Sequence, residues 1–181
     1  MTDVTLLLNA AKQGEPGAAD RLLALIYSEL RRLATAQTAR ESPGRSLLAS
    51  DLVQEAYLQL IGPEGELPFD NRGHFFAAAA QAMRRLLVDA ARRRGRLKRG
   101  GLAQREPLDD AAAPDEDTRL LELDEALANL AEVDPQAARI VELRQFGGLT
   151  HEQAADALGT TVYEVRQKWI YAVAWLKKAL S

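Results

Sequence analysis

Apolar residues recur along the chain at spacings of three and four, which is the period of an amphipathic helix. In the first half, this pattern defines four stretches, at about 4–12, 16–40, 50–61 and 72–95. Glycine and proline residues interrupt helices, and they separate these stretches. Residues that favour strands form no long run. The pattern therefore predicts an all-α protein.

The helical pattern resumes in the second half of the chain. One helix is predicted by four apolar positions: Leu120, Leu123, Leu127 and Leu130. Asp134 and Pro135 then provide a capping residue followed by a proline in the first helical turn, which is a common start of a helix. Gly147 marks the predicted end of this next helix.

A pair of capped helices is predicted near the C-terminus. Thr150 with Gln153, and Thr161 with Glu164, both have the spacing of a capping box, in which two residues satisfy the free amides at a helix start. Gly159 lies between the pairs and can adopt the left-handed conformation that ends a helix. A short helix, a glycine turn and a longer helix are typical of a DNA-binding helix-turn-helix.

The polar side of the longer helix carries the candidate DNA contacts. Arg166 can donate two hydrogen bonds to guanine, and Gln167 can bind adenine with two hydrogen bonds. The predicted contacts are Thr161, Tyr163, Arg166, Gln167 and Lys168. The alternative for the whole segment is a three-helix bundle with a solvated polar face. Glu164 has the alternative role of a helix cap.

The charges of the chain are segregated. Its net charge of −3 is unusual for a nucleic-acid-binding protein. However, residues 92–99 contain six basic residues and no acidic residue, and residues 106–117 contain six acidic residues and no basic residue. The basic block suits phosphate groups, whereas the acidic block has the composition of a linker. We therefore expect separate surfaces with separate partners.

The composition argues against several classes of site. The chain has no cysteine and two histidines, His74 and His151, far apart in the sequence, so no disulfide, metal site or other cofactor is expected. No apolar run approaches the ~20 residues that cross a bilayer, and the N-terminus does not resemble a signal peptide, which predicts a cytoplasmic protein without a membrane partner. A metal-dependent nuclease would need structured carboxylates, but the acidic block lies in the predicted linker.

Three segments together resemble bacterial sigma-70 family RNA polymerase sigma factors, and in particular the extracytoplasmic-function (ECF) subfamily. They are SDLVQEAYLQL, GHFFAAAAQAMRRLLVDAARRRGRLKRGG and the C-terminal helix-turn-helix, in the order of that family. The resemblance implies two small helical domains, region 2 at 1–99 and region 4 at 118–181, joined by a flexible acidic linker at 100–117. It implies a protein that binds core RNA polymerase and directs transcription initiation at promoters, and not an enzyme.

The resemblance also implies a role for each segment. SDLVQEAYLQL would bind the clamp helices of the polymerase β′ subunit through Asp51, Gln54, Glu55 and Gln59, and region 4 would contact the β flap and read the minus-35 element. The following helix would melt and read the minus-10 element through a polar and basic set: Asn71, Arg72, His74, Arg84, Arg85, Arg92, Arg93, Arg94, Arg96, Lys98 and Arg99. The alternatives are a solvated polar face for the first set, and a capping or core role for His74 and the neighbouring Phe75.

Two features depart from the family pattern. The second helix of the helix-turn-helix is less basic than in many family members, which predicts weak or unusual minus-35 recognition. The acidic motif that often precedes the polymerase-binding segment is LASD here, with Ser50 as a candidate phosphorylation site. A phosphate would add about −1.5 to −2 charge and could replace missing carboxylates. A Ser/Thr kinase or an anti-sigma factor is therefore an expected regulatory partner.

Two alternatives stay open at this point. The linker carboxylates either imitate nucleic-acid charge in a basic polymerase channel or belong to a solvated tether: Asp109, Asp110, Asp115, Glu116 and Asp117. A helix-turn-helix regulator that binds duplex DNA without polymerase would account for the C-terminal segment. It would leave SDLVQEAYLQL and the acidic linker without a role.

Overall fold

The fold is known from a computed structural model that describes residues 4–38, 49–61, 68–100 and 115–181. Over these ranges the chain forms eight helices and no strand. The helices are α1 (Val4–Lys12), α2 (Ala18–Thr38), α3 (Ala49–Leu60), α4 (Arg72–Gly100), α5 (Glu116–Val133), α6 (Pro135–Gln145), α7 (His151–Leu158) and α8 (Val162–Ala179). None of them is long and apolar enough to span a membrane. The all-α prediction is confirmed.

Helices α1 to α4 bury their apolar sides against one another. Helix α2 packs on both α1 and α3, and α3 packs on α4. The largest fully buried side chains in this half are Leu8, Leu22, Ile26, Leu30, Leu33, Leu52, Phe69, Phe75 and Met83. Complete burial of one such side chain contributes about 1.5–3 kcal/mol. The same three- and four-residue spacing that predicts the helices therefore also forms their core.

Helix α4 is longer than the sequence pattern predicts. Its end was expected near residue 95, but it continues to Gly100. After Ala91 the sequence is mostly arginine and lysine, which have high helix propensity. A single glycine at Gly95 costs only about 1 kcal/mol, so the helix passes through it. The basic block is thus helical, and its described side chains, those up to residue 97, point to different sides of one helix.

Helix α5 begins inside the segment that the sequence predicts to be linker. Asp115 caps it by accepting a hydrogen bond from the backbone amide of Thr118 at 2.9 Å, and Glu116 and Asp117 form its first turn. Carboxylates are favourable there because a helix N-terminus carries partial positive charge. The last three residues of the predicted acidic linker therefore start a helix. Asp109 and Asp110 lie outside the described residues.

Helices α5 to α8 form the second half of the described structure. Helix α6 packs on α5 and α8, and α7 packs on α8. The core is formed by buried apolar side chains, among them Leu127, Leu130, Ile140, Leu143, Phe146, Val165 and Ala172. The predicted start of α6 is confirmed, since Asp134 accepts a hydrogen bond from the Ala137 amide at 3.0 Å and Pro135 occupies the first turn.

The helix-turn-helix has the local geometry that its sequence predicts. Thr150 and Thr161 each form both hydrogen bonds of a capping box, with Gln153 and Glu164 respectively. Gly159 adopts the left-handed conformation with φ of 63° and ends α7. Both ends of the turn are therefore fixed by residues next to it in sequence.

The turn at Gly159 yields a stability prediction. A Cβ atom added at Gly159 would meet nothing within 4 Å, so substitution is costly only because φ is positive. Gly159→Ala should lower the free energy of unfolding by about 1 kcal/mol. Gly159→Asn should lower the free energy of unfolding by less than Gly159→Ala does, because asparagine tolerates the left-handed conformation better than alanine. Urea denaturation of both variants measures the difference, and equal losses would contradict the backbone explanation.

Candidate nucleic-acid interface

The first turns of α8 present the predicted minus-35 residues around its capped start. Thr161 is the N-cap, and its hydroxyl accepts a hydrogen bond from the Glu164 amide at 3.1 Å. Tyr163, Arg166 and Gln167 are exposed on the turns that follow. Hydrogen bonds from Thr160 and Thr161 to the Glu164 carboxylate lower its pKa. Glu164 therefore stabilises the helix start as an ionised cap.

The two basic residues among the predicted minus-35 contacts, Arg166 and Lys168, both form ion pairs with carboxylates. Arg166 Nη2 lies 3.2 Å from Glu152 Oε1, in an exposed pair that solvent screens well. Lys168 donates to Asp134, which also caps α6. Burial opposes ionisation of Asp134, but hydrogen bonds from Lys168 and from the Ala137 amide outweigh it and lower the pKa. Lys168 thus joins α8 to the start of α6, whereas Arg166 is easily released.

Tyr163, which the sequence predicts as a DNA contact, shares the exposed side of α8 with a second large apolar side chain, Ile170, which was not predicted as one. Tyr163 and Ile170 are 71% and 62% exposed, and Gln167 lies between them at helical spacing. The missed signal is the separation of seven residues between Tyr163 and Ile170, which places both on one face. In the major groove, thymine offers an apolar methyl group next to hydrogen-bonding edges. The face suits such a mixed surface.

An arginine under α8 holds the helix-turn-helix together. The Arg144 guanidinium carbon lies 4.2 Å from the centre of the Trp169 ring, and Arg144 Nη1 lies 3.0 Å from His151 Nε2. Because arginine can only donate, His151 Nε2 must accept, which requires a neutral imidazole. These contacts join α6, α7 and α8. Nothing in the spacing of the three residues along the sequence reveals them.

The start of α4 collects three of the predicted minus-10 residues. The side-chain oxygen of Asn71 accepts a hydrogen bond from the His74 amide at 2.9 Å, so it caps the helix. The His74 ring packs edge-on against Phe69. The Arg72 guanidinium carbon lies 5.1 Å from the centre of the Phe76 ring. Phe75 is fully buried and belongs to the core.

The basic residues along α4 divide into two groups by their surroundings. Arg85, Arg93 and Arg96 are exposed. Arg84 and Arg94 are mostly buried and reach carboxylates of the second half, at Asp124, Glu142 and Asp117, whereas Arg92 reaches Asp124 but is 56% exposed. The side chains of Lys98 and Arg99 lie outside the described residues. The sequence identifies the basic block but not this division, which depends on the packing of α5 and α6.

Helix α3 presents the predicted polymerase-binding residues on one side. Asp51, Gln54, Glu55 and Gln59 are all exposed, at spacings of three and four. Leu58 lies among them and is 74% exposed, which the sequence reasoning missed. Ser50, the candidate phosphorylation site, is exposed in the first turn of α3. The structure therefore brings together a polar surface, an exposed apolar residue and an exposed serine hydroxyl.

Comparison with known proteins identifies one family over the whole chain. The family model described as ECF sigma factor matches residues 1–181. Neither the curated proteins nor the solved structures contain a match to this chain. The family match thus covers all three candidate surfaces, on α3, α4 and α8.

The environment of His151 yields a pH prediction. Burial lowers its pKa below the ordinary value of 6.5, and the charges of Arg144 and Arg166 lower it further against an opposing effect of Glu152. The unfolded chain therefore binds more protons than the folded chain just below pH 6.5. Stability should be full above this pH and should fall as the pH drops through the lowered pKa. His151→Gln should flatten that decline.

Urea unfolding between neutral and mildly acidic pH measures this effect. His74→Gln is the matched control, since it removes the other histidine from an exposed site on α4. The control should keep the pH dependence of the parent protein. If His151→Gln keeps the pH dependence of the parent protein as well, the contact between neutral His151 and Arg144 is not the source of that pH dependence.

Proposed function

Because the chain belongs to the ECF sigma factor family, we propose that it binds core RNA polymerase through α3 and reads promoter DNA at two elements. ECF sigma factors act in transcription initiation with RNA polymerase and are DNA-binding regulators rather than enzymes. The family match over all 181 residues carries the proposal. In it, residues 1–99 act as region 2, residues 100–117 as the connection and residues 118–181 as region 4.

The polymerase-binding role rests on the exposed side of α3. Three of its side chains, Asp51, Gln54 and Glu55, offer hydrogen-bond acceptors or donors on consecutive turns. Leu58 adds an exposed apolar contact in their midst. A polar surface around an apolar residue is the usual composition of a protein interface. We place the clamp helices of the β′ subunit on this side, and the β flap on the second half of the chain.

The minus-10 role rests on the length and charge of α4. The helix has 29 residues, and its exposed guanidinium groups at Arg85, Arg93 and Arg96 are available to phosphates. Such contacts position nucleic acid and make binding salt-dependent, but they do not read its sequence. Reading a melted base would depend on the polar residues at the start of α4, Asn71, Arg72 and His74.

The minus-35 role rests on the start of α8. Arg166 can exchange Glu152 for a guanine edge at little cost, since both side chains of this pair are 60% exposed. Gln167 would bind adenine, and Tyr163 would contact the backbone or a thymine methyl group. With Lys168 held by Asp134, few free cations face DNA here. Attachment to polymerase through α3 would compensate for weak binding by raising the local concentration.

Reconstituted transcription tests the proposed function. Purified protein and core polymerase are incubated with a library of randomised promoters, and the transcripts are sequenced. We expect enrichment of templates with two conserved elements at a fixed spacing. A start-site distribution that does not change on addition of the protein would contradict the proposal. Tight duplex binding without polymerase in that case would favour a helix-turn-helix regulator.

Two arginine variants should separate sequence reading from phosphate binding. Arg166→Ala should cost about 1–3 kcal/mol on the selected promoter and relax the preference at one minus-35 position. Arg93→Ala should weaken binding on all promoters alike and lower the salt dependence of binding, because it removes one phosphate contact. Titration of holoenzyme with labelled promoter at several salt concentrations measures both effects. Loss of preference at the same base position in both variants would contradict the division.

Ser50 is proposed as a phosphorylation switch for the α3 surface. Ser50→Glu should raise the affinity for core polymerase above that of Ser50→Ala, because it adds negative charge beside Asp51. Ser181→Glu adds the same charge to the exposed C-terminal residue and should leave the affinity unchanged. Fluorescence anisotropy with labelled protein measures the affinities. Equal values for Ser50→Ala, Ser50→Glu and the parent would exclude the switch and leave an anti-sigma factor as the proposed regulator.

A further inference from the structure

Helix α8 carries an exposed isoleucine that the packing of the second half does not use. The core side of α8 is formed by Val165, Ala172 and Leu176, all of which are buried. Ile170 lies away from them and is 62% exposed. A β-branched side chain also favours a helix less than alanine does. Neither packing nor helix formation therefore accounts for an isoleucine at this position.

Ile170 lies on the same face of α8 as the proposed base-reading residues. It follows Arg166 by four positions and Gln167 by three, so the three side chains are neighbours on the helix surface. Tyr163 lies two turns earlier on this face and is 71% exposed. The face thus has two polar side chains between two large apolar ones, and all four are exposed.

The charge of this part of α8 shifts the burden of binding to base edges. The first three turns, residues 162–172, contain two basic residues, Arg166 and Lys168, and Lys168 pairs with Asp134. Attraction to phosphates gives affinity without sequence preference, and this helix has few groups that supply it. Contacts with base edges, including apolar ones, therefore carry a larger share of its binding.

The major groove offers an aliphatic side chain one kind of partner. The edges of the base pairs present hydrogen-bonding groups and a single apolar group, the C5 methyl group of thymine. A polar base edge opposite Ile170 would lose water without gaining a hydrogen bond. We infer that Ile170 is a specificity-determining residue that reads a pyrimidine C5 methyl group at one position of the minus-35 element. The inference rests on the proposed role of α8 in DNA binding.

The helix geometry predicts where this position lies in the element. Four residues separate Ile170 from Arg166, which corresponds to about 6 Å along the helix. Successive base pairs are about 3.4 Å apart. The methyl group that Ile170 reads should therefore lie about two base pairs from the position that Arg166 reads, on the side away from Tyr163.

A contact of this kind also responds to methylated cytosine. 5-Methylcytosine carries the same methyl group on the same carbon as thymine, and the two bases differ in the hydrogen-bonding group beside it. Ile170 has no hydrogen-bonding side chain and contacts the methyl group alone. Cytosine methylation at this position should therefore strengthen promoter binding, as thymine does relative to uracil.

Removal of single methyl groups from the DNA tests the inference. The probe is a fluorescein-labelled duplex with the minus-35 element that the holoenzyme selects or, where it selects none, the duplex that the full chain selects alone. Each thymine is replaced in turn by uracil, which lacks only the methyl group. At one position, replacement should weaken binding by the parent about fourfold, the effect of burying one methyl group. Ile170→Ala should bind both duplexes equally, and Ile170→Val should keep part of the difference.

The same position with cytosine or 5-methylcytosine provides a second measurement. The parent should bind the methylated duplex about fourfold more tightly than the unmethylated one, and Ile170→Ala should not distinguish them. Leu6→Ala is the matched control, because it shortens a side chain of similar exposure, 66%, on α1. The control should keep both responses of the parent. Circular dichroism verifies that each variant is folded.

The outcomes separate this inference from the proposed function. A selected element without thymine, a uracil scan without effect, or equal effects in the parent and in folded Ile170→Ala would overturn the inference, even if the holoenzyme transcribes from a promoter. A methyl response that disappears in Ile170→Ala supports it even if the protein never acts with polymerase. In that second case the sigma-factor role fails and methyl reading by α8 stands.

Discussion

The guanidinium of Arg84 occupies the place where α4, α5 and α6 meet, and the arrangement of the two halves depends on what it holds. A half-buried cation needs carboxylates or carbonyls around it, because burial without them is costly. Asp124 and Glu142 satisfy that need and thereby bring α5 and α6 onto α4. The close approach of Gly73 to the Ala157 backbone and the hydrogen bonds of Gln37 to the Gln145 and Phe146 carbonyls also join the two halves. Polar contacts and the shared apolar core thus together determine the position of these helices.

Most of the local structure could be predicted from the sequence, because it is determined by neighbouring residues. Asp134 before Pro135, the capping boxes and the left-handed Gly159 each act within a few positions along the chain. The extension of α4 to Gly100 was missed because a glycine and a run of charges suggest an end, whereas helix propensity favours continuation. The helical start at Glu116 was missed because the acidic block was judged by composition alone.

The candidate site was predictable as a set of residue types but not as a set of partners. The sequence identifies the basic residues of α4, yet only packing decides that Arg84 holds carboxylates while Arg85, next to it, is exposed. The contact of Arg144 with His151 and Trp169 has no sequence signal for the same reason, since it joins three helices. The net charge of −3 likewise does not reveal the basic surface of α4, because acidic residues elsewhere in the chain offset its positive charges.

The contact at Gly73 has a consequence for how the two proposed DNA-binding surfaces influence each other. It joins the beginning of α4 to α7, the first helix of the helix-turn-helix. Suppose that one ligand binds α7 and another binds α4, and that both bind better when the two helices are separated. By thermodynamic linkage, each ligand then raises the affinity for the other by the same factor. The two surfaces would then show positive cooperativity without touching a common ligand. Gly73 would then couple the two surfaces, because its lack of a side chain allows the contact between α4 and α7.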